Sequence, residues 1–184
     1  MTRRALFLDR DGIINVDKGF VHEANEFEWM PGIFDLAACA RDTGAKLIVV
    51  TNQSGIARGY YTEETFQKLT DWMALRFDAE GVPLTQVYHC PFLEGPDGRD
   101  HPLRKPNPGM LIAAQGDHDI AMQESVMLGD KWADMDAAIA AGVGHMAIIG
   151  ERSTENQNDS RYGTVGRFSL LSDVLPWLQK TWDV

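Results

Sequence analysis

Two aspartates stand one residue apart at the end of a short apolar run. Asp9 and Asp11 follow the run "ALFL", and Gly12 comes directly after them. Carboxylates this close repel each other, and burying either one without a partner is costly. The pattern has two interpretations. It is either an acidic turn that closes a strand, or part of a site in which a cation offsets the repulsion.

Polar residues also follow two later apolar runs. After "KLIVV" the chain continues with Thr51, Asn52, Gln53 and Ser54, and after "VMLG" with Asp130 and Lys131. Apolar strands without alternation, separated by helices, indicate a parallel sheet covered on both faces. Such sheets hold ligands at the carboxyl ends of their strands. We therefore expect these three polar strand ends to converge at one edge of the sheet.

Strand and helix patterns alternate along the whole chain. The predicted strands lie at 4–9, 46–52, 86–90, 124–130, 144–150 and near 166–171, and the predicted helices at 31–44, 62–81, 133–142 and 172–179, with one more after Asn107. This order predicts an α/β fold with three layers and a doubly wound parallel sheet. We expect a single domain over residues 1–184, because the segment 11–31 is long enough for a flap but not for a cap domain.

Composition limits the function classes. The 184 residues are 44% hydrophobic and 24% charged, which is typical of a globular protein. A net charge of -10 argues against general affinity for nucleic acid or anionic membranes. Two cysteines suggest no disulfide framework, and no apolar run approaches membrane-spanning length or a signal peptide. We expect a cytoplasmic protein that is a monomer or a weak homo-oligomer, without nucleic-acid or membrane partners.

Three carboxylates at neighbouring strand ends form a hard-oxygen site that suits Mg²⁺. The candidate ligands are Asp9, Asp11 and Asp130, and a bound cation would offset their mutual repulsion. A calcium loop of the helix-loop-helix type is excluded, because Ile13 and Ile14 occupy positions where that loop needs polar ligands and glycine.

An anion is expected beside this cation. Arg104 and Lys105 precede a helix that Asn107 would cap, with Pro108 in its first turn. Both cations and the helix N-terminus would attract an anion, although solvated loop charges are the alternative interpretation. A cation, a positioned anion and a free aspartate together suggest phosphoryl transfer. One carboxylate would attack phosphorus, and a second would protonate the leaving oxygen and then activate water.

Four segments carry these residues in order: "DRDGIINVDKGFV", "VVTNQSGIARGYY", "RKPNPGM" and "LGDKWADMDAAIAAGV". In order and spacing they resemble the four motifs of the haloacid dehalogenase-like (HAD-like) phosphatases. More narrowly, they resemble the branch of histidinol-phosphate and D-glycero-D-manno-heptose 1,7-bisphosphate phosphatases. The resemblance covers about residues 4 to 150 and implies a HAD-like Rossmannoid fold without a large cap.

The resemblance also implies roles. Asp9 would be the nucleophile and a Mg²⁺ ligand, Asp11 the general acid and base with its backbone carbonyl on the metal, and Asp130 a further ligand. Thr51 and Asn52 would hold the transferring phosphoryl group, with Lys105 as its cationic clamp. Substrate contacts are expected from Asp17, Lys18, Gly19, Phe20, Asn52, Gln53, Ser54, Arg104 and Lys131. Asp134 would either support the metal site or be a surface acid.

The chain departs from this branch in one loop. Heptose phosphatases of the branch often carry a structural zinc loop just before the Arg-Lys pair. Here Cys90 is retained, but Phe92 and Leu103 stand at positions where the family has zinc ligands, and His101 stands at another. Four-coordinate structural zinc needs four nitrogen or sulfur ligands. We therefore predict that zinc is absent and that the loop at 91–104 is held by proline and apolar contacts.

The leading hypothesis from the resemblance is a Mg²⁺-dependent phosphatase acting on the 7-phosphate of a heptose bisphosphate. This small phosphorylated sugar would feed lipopolysaccharide or capsule synthesis in a bacterium. Histidinol phosphate is the alternative substrate. A phospho-receiver signalling domain is a weaker alternative, because the third predicted strand ends at Cys90 without an aspartate. A catalytically inactive binding module is disfavoured, because both Asp9 and Asp11 are retained.

Overall fold

Six strands form one parallel sheet in the computed structural model, which describes residues 3–95 and 101–183. The strands are β1 (Ala5–Leu8), β2 (Lys46–Asn52), β3 (Gln86–Cys90), β4 (Val126–Gly129), β5 (His145–Ile149) and β6 (Gly166–Phe168). The helices are α1 (Ile33–Asp42), α2 (Glu63–Ala79), α3 (Gly109–His118), α4 (Trp132–Ala140) and α5 (Val174–Trp182). Short 3₁₀ turns lie at Met122–Glu124, Glu151–Thr154, Ser160–Tyr162 and Leu171–Asp173.

The strand order is β3-β2-β1-β4-β5-β6, so the sheet winds outward in both directions from β1 and β4. Leu6 of β1 pairs with Leu47 of β2 on one side and with Val126 of β4 on the other, both in parallel register. In such sheets the crevice for ligands opens where the winding reverses, beyond the carboxyl ends of the two central strands. The predicted doubly wound sheet without a large cap is confirmed.

Strand β1 contributes side chains to hydrophobic clusters on both faces of the sheet. Leu6 and Leu8 belong to the cluster beneath α1, α2 and α5, while Ala5 and Phe7 belong to the cluster beneath α3 and α4. All four side chains are completely buried. Strand side chains alternate between faces, so a continuous apolar run is what a sheet covered on both sides requires.

The start of α3 differs from the prediction. Pro108 occupies the cap position, and the side-chain amide of Asn107 donates to the carbonyl of His101 at 3.3 Å. The first helical N–H, that of Gly109, donates to the carbonyl of Pro102 at 3.1 Å. A backbone carbonyl of the preceding loop thus accepts the hydrogen bond that we expected the side chain of Asn107 to accept. The predicted helix cap by Asn107 is therefore wrong.

The loop before α3 lies partly outside the described residues, because 96–100 are not among them. Within its described part, the ring of Phe92 stacks on that of His101 with centroids 4.1 Å apart. The predicted absence of zinc and the predicted apolar packing of this loop stay predictions. Within 3–95 and 101–183, no helix combines the length and the hydropathy that crossing a bilayer requires.

Candidate active site

Two aspartates lie at the tips of the two central strands. Asp9 follows β1, and its N–H extends the ladder to β4 by donating to the carbonyl of Leu128 at 3.0 Å. Asp130 follows β4 directly. Oxygens of Asp9, Asp130 and Asp134 all lie within 4.8 Å of one another. The expected convergence of the first and fourth strand ends is therefore observed, with Asp134 as its third carboxylate.

Asp134 is buried, with 2% of its surface exposed. It lies in the first turn of α4, where its Oδ2 accepts the backbone N–H of Lys131 at 3.0 Å. This capping contact turns the carboxylate back toward the sheet edge instead of outward. The interpretation of Asp134 as a surface acid is wrong.

Lys105 connects two of these acids. Its Nζ donates to Asp9 Oδ1 at 2.9 Å, to Asp134 Oδ1 at 2.6 Å and to the carbonyl of Val50 at 2.7 Å, so each ammonium hydrogen has an oxygen partner. Burial acts to lower the pKa of Lys105, but the two carboxylates outweigh it and raise the pKa above its ordinary value. The side chain is therefore a fixed, buried cation, and the interpretation as a solvated loop charge is wrong for it.

Arg104 is also largely buried. Its guanidinium donates to Glu94 Oε1 at 2.9 Å and to the carbonyl of Phe92 at 3.2 Å. It is 9% exposed, so the solvated-loop interpretation is wrong here as well. The two cations of the "RKP" segment point to different places, because Lys105 lies among the aspartates and Arg104 lines the neighbouring cavity.

The electrostatics of Asp130 favour a cation at this site. Burial and repulsion from Asp9 raise the pKa of Asp130 to about 7. Its Oδ1 is buried and finds no hydrogen-bond donor within the described ranges. Gly12, at φ 91°, allows this approach, because a Cβ there would lie 2.6 Å from Asp130 Cγ. An unsatisfied buried carboxylate oxygen beside two further carboxylates fits a hard divalent cation such as Mg²⁺.

The carboxylate of Asp11 lies outside that three-acid group. Its Oδ1 accepts from Arg10 Nη2 and Asn15 Nδ2, each at 3.0 Å, and its Oδ2 accepts from Gln53 Nε2 at 3.0 Å. Arg10 is 1% exposed and also donates to the carbonyl of Val21 at 2.7 Å. Arg10 and Asn15 are not among the predicted site residues. For Arg10, the available signal is a charged residue between two acids at the end of a buried strand.

The end of β2 contributes two buried polar contacts. Thr51 is 1% exposed, and its Oγ1 accepts from Gln53 Nε2 at 2.9 Å. Asn52 uses both ends of its amide on the backbone of Lys105, donating to its carbonyl at 2.9 Å and accepting its N–H at 3.1 Å. Asn52 therefore fastens the segment that carries the lysine, which is a contact the sequence had not indicated.

A cavity of about 330 Å³ opens beside these strand ends. Its lining consists of Asp11, Asp17, Gly19, Phe20, Asn52, Gln53, Ser54, Tyr61, Glu94, Arg104 and Lys131. Every residue predicted to contact substrate is in this lining except Lys18, whose Nζ pairs with Glu28 Oε2 at 3.0 Å. Lys131 closes one side through its ion pair with Asp17 Oδ2 at 3.1 Å. Tyr61 and Glu94 line the cavity without having been predicted.

A larger cavity of about 670 Å³ borders Asp130 and Asp17 from the other side. Much of its lining is apolar, with Met30, Ile149 and Leu171 among its residues. The larger cavity contains one cation, Arg152, whereas the smaller cavity contains two, Arg104 and Lys131, and also contains Asp11. The smaller cavity is therefore the candidate for binding an anion.

The doubly wound fold, with aspartates at the tips of its two central strands and a buried lysine that contacts Asp9 and Asp134, is typical of the class of HAD-like hydrolases. A HAD-hydrolase-like family model matches residues 102–160. A Burkholderia mallei protein named D-glycero-alpha-D-manno-heptose-1,7-bisphosphate 7-phosphatase is 46% identical, over 97% of this chain and 95% of its own. The chain belongs to the HAD-like phosphatases, in the branch that contains these heptose bisphosphate phosphatases.

Two further comparisons agree. The Escherichia coli K12 protein named D-glycero-beta-D-manno-heptose-1,7-bisphosphate 7-phosphatase is 46% identical over 79% of this chain and 78% of its own. The crystal structure of D,D-heptose 1,7-bisphosphate phosphatase from B. bronchiseptica, complexed with magnesium and phosphate, superposes with a TM-score of 0.82 at 27% identity. That superposition covers 96% of this chain and 98% of the other.

Proposed function

We propose that this phosphatase removes the 7-phosphate of D-glycero-D-manno-heptose 1,7-bisphosphate through an aspartyl-phosphate intermediate, with Mg²⁺ as cofactor. The observation that carries the proposal is the buried Asp9, which the ammonium group of Lys105 contacts at 2.9 Å, two residues before Asp11, which lines a cavity together with Arg104 and Lys131. The names of the relatives supply the substrate.

Each proposed chemical step uses residues of this chain. A carboxylate oxygen of Asp9 attacks phosphorus, so a bond from phosphorus to Asp9 forms while the bond to the sugar oxygen breaks. Asp11 gives its proton to the departing oxygen, and the sugar leaves as an alcohol. Water then attacks the aspartyl phosphate, and Asp11 takes a proton from it. Inorganic phosphate leaves, and both carboxyl groups return to their starting states.

Charge on the phosphoryl oxygens is balanced by fixed groups. Lys105 provides a buried cation beside Asp9. The hydroxyl oxygen of Thr51 accepts from Gln53, which leaves the hydroxyl hydrogen to donate to a phosphoryl oxygen. Asp9, Asp130 and Asp134 would hold Mg²⁺, directly or through water, with the Asp11 carbonyl as a further ligand. Bound there, the ion would neutralise phosphoryl oxygens and bring the anionic substrate close to an anionic nucleophile.

The cavity fits a small polyanionic sugar. Its volume is at the lower end of the range for small-ligand sites. Arg104 and Lys131 would bind phosphate or hydroxyl oxygens, and Phe20, which is 44% exposed, offers an apolar surface for a sugar ring. The relatives named for the alpha and for the beta anomer are both 46% identical to this chain. A substrate of this kind would place the reaction in lipopolysaccharide or capsule synthesis within the cytoplasm.

The test is a phosphate-release assay with Mg²⁺ on both anomers of the heptose bisphosphate and on histidinol phosphate. We expect the heptose bisphosphates to be preferred, and Asp9→Asn to lower kcat by more than about 10³-fold. Asp71→Asn on the exposed face of α2 is the matched control and should leave turnover unchanged. Normal turnover by Asp9→Asn would refute the nucleophile. A preference for histidinol phosphate would refute the substrate.

A further inference from the structure

Tyr61 is a buried side chain that the proposed mechanism does not use. It is 7% exposed and lines the back of the smaller cavity. Its hydroxyl donates to the side-chain carbonyl of Gln53 at 2.5 Å. A buried tyrosine hydroxyl usually satisfies a specific partner, so this bond is a built contact between the segment before α2 and the end of β2.

Gln53 passes this contact on to Asp11. Its Nε2 donates one hydrogen to Asp11 Oδ2 at 3.0 Å and the other to Thr51 Oγ1 at 2.9 Å. With its carbonyl accepting from Tyr61, the amide has a partner for both hydrogens and for its oxygen. At 2% exposure, solvent contributes little at Gln53. The tyrosine therefore determines which end of the amide faces the carboxylate.

We propose that Tyr61, acting through Gln53, is a positioning residue that fixes the carboxyl group of Asp11 for proton transfer to the leaving group. The inference rests on the proposed function, in which Asp11 is the general acid and base. It gives a role to Tyr61, the last residue of the second motif segment, and it assigns Gln53 to catalytic geometry as well as to the cavity wall.

Packing holds the tyrosine in place from two sides. A Cβ on Gly55 would lie 2.3 Å from Tyr61 Cε1, so only glycine permits this close approach of the ring to the backbone. The imidazole of His22 stacks on the ring, with centroids 5.1 Å apart and planes 7° from parallel. Burial raises the pKa of Tyr61 to about 12, which keeps the hydroxyl a donor at neutral pH.

Removing the hydroxyl would weaken the contact between Gln53 and Asp11. Without its donor, the carbonyl of Gln53 is buried and unsatisfied, and no contact fixes which end of the amide faces Asp11. An amide that rotates or shifts no longer donates to Asp11 Oδ2. Arg10 and Asn15 would then orient the carboxyl group alone.

The test is Tyr61→Phe, which removes the hydroxyl and keeps the ring. General acid catalysis matters for a sugar alkoxide and little for p-nitrophenolate, which departs as a stable anion. Because Asp11 also serves as the base in hydrolysis of the aspartyl phosphate, a step common to both esters, the readout is kcat/KM, which ends at departure of the leaving group. We expect kcat/KM on the heptose bisphosphate to fall about 10-fold, which is less than the full contribution of a general acid because Asp11 remains, while kcat/KM on p-nitrophenyl phosphate falls less than about 2-fold. Tyr162→Phe removes a comparable buried hydroxyl, bonded to Asp136 at 2.7 Å, and should change neither rate.

Two further variants separate the possible outcomes. Asp11→Asn should show the same leaving-group dependence. The double variant Asp11→Asn/Tyr61→Phe should turn over each ester as fast as Asp11→Asn alone, because Tyr61 acts only through Asp11. Gln53→Met, which is similar in length and uncharged, removes the amide that links Tyr61 to Asp11, so it should show the same leaving-group dependence, including where Tyr61→Phe does not fold. An equal loss on both esters, or no loss with a folded variant, would overturn the inference. Should Asp11→Asn itself lack the leaving-group dependence, the proposed function fails first.

Discussion

The lysine at position 105 explains how the carboxylates of Asp9 and Asp134 can both be buried at one edge of the sheet. Asp9 is 5% exposed, and burial is the main cause that raises its pKa. Separating these acids from water costs several kcal/mol per charge, and a buried cation offsets that cost only in close contact. The contacts of Lys105 with Asp9 and Asp134, at 2.9 Å and 2.6 Å, meet that condition. Lys105 thus supports the site before any ligand binds.

Replacing this cation should therefore destabilise the whole chain. Lys105→Met keeps the length of the side chain but leaves Asp9 and Asp134 without their buried partner, so we expect unfolding to require about 3–5 kcal/mol less free energy. Added Mg²⁺ should raise the Tm of the variant more than that of the wild type, because in the variant the carboxylates of Asp9 and Asp134 lack the lysine that neutralises them.

Lys68→Met provides the control for that experiment. Lys68 pairs with Glu64 at 2.7 Å on the exposed face of α2, and its loss should leave stability essentially unchanged, because solvent screens an exposed ion pair. Urea unfolding and thermal shifts with and without Mg²⁺ measure both effects. An equal loss for the two lysines, or equal shifts with Mg²⁺, would contradict the role given to Lys105.

At the level of elements, the turn after β1 is shaped around the carboxylate that follows β4. Gly12→Ala would place a Cβ 2.6 Å from Asp130 Cγ at a backbone φ of 91°. Gly44→Ala imposes similar backbone strain at φ 72° with no neighbour within 4 Å. We expect each to cost about 1–3 kcal/mol in stability. Only Gly12→Ala should lower turnover, by about 10²-fold, because it displaces Asp130. Equal turnover in the two variants would show that Asp130 tolerates displacement.

The sequence predicted the strand ends because their apolar runs are uninterrupted and each stops at a polar residue. It could not fix the direction of Asp134, since a residue in a short, small-residue helix can face either way until the Lys131 cap is known. It also grouped Lys18 with the neighbouring cavity residue Asp17. In the structure Lys18 turns to Glu28, and that contact depends on how the loop folds back.

The link between Tyr61 and Asp11 shows the same limit over a longer distance. Gln53 lies in a motif that predicted substrate contact, but its side-chain amide hydrogen-bonds to Asp11, 42 positions earlier, and to Tyr61, 8 positions later. No periodic pattern in the sequence indicates these two contacts. Side-chain bonds between loops depend on tertiary packing, and the sequence indicates only that polar residues are available there.

At the scale of the whole molecule, acids outnumber cations, and the same holds at the sheet edge. The chain carries a formal charge of -10, and the smaller cavity is lined by Asp11, Asp17 and Glu94 beside Arg104 and Lys131. An anionic substrate would therefore depend on these two side chains together with a bound divalent cation. Charges beyond about 10 Å are largely screened at 0.1 M salt, so the acidic remainder of the surface argues against polyanionic macromolecules as partners but has little effect on a small phosphorylated sugar within the cavity.

The position of β1 predicts how the fold comes apart. Because this strand supplies side chains to both clusters and ends in Asp9, loss of packing on one face should weaken the other face and the site together. Phe7→Ala should lower the free energy of unfolding by about 3–5 kcal/mol. Ile112→Ala, which removes a half-exposed side chain from α3, should change the free energy of unfolding by no more than about 0.5 kcal/mol.

Far-ultraviolet circular dichroism and tryptophan fluorescence should follow one coincident transition in urea, as a single domain over 1–184 requires. Two separable transitions would instead show that the faces fold independently, and the single-domain prediction would be wrong.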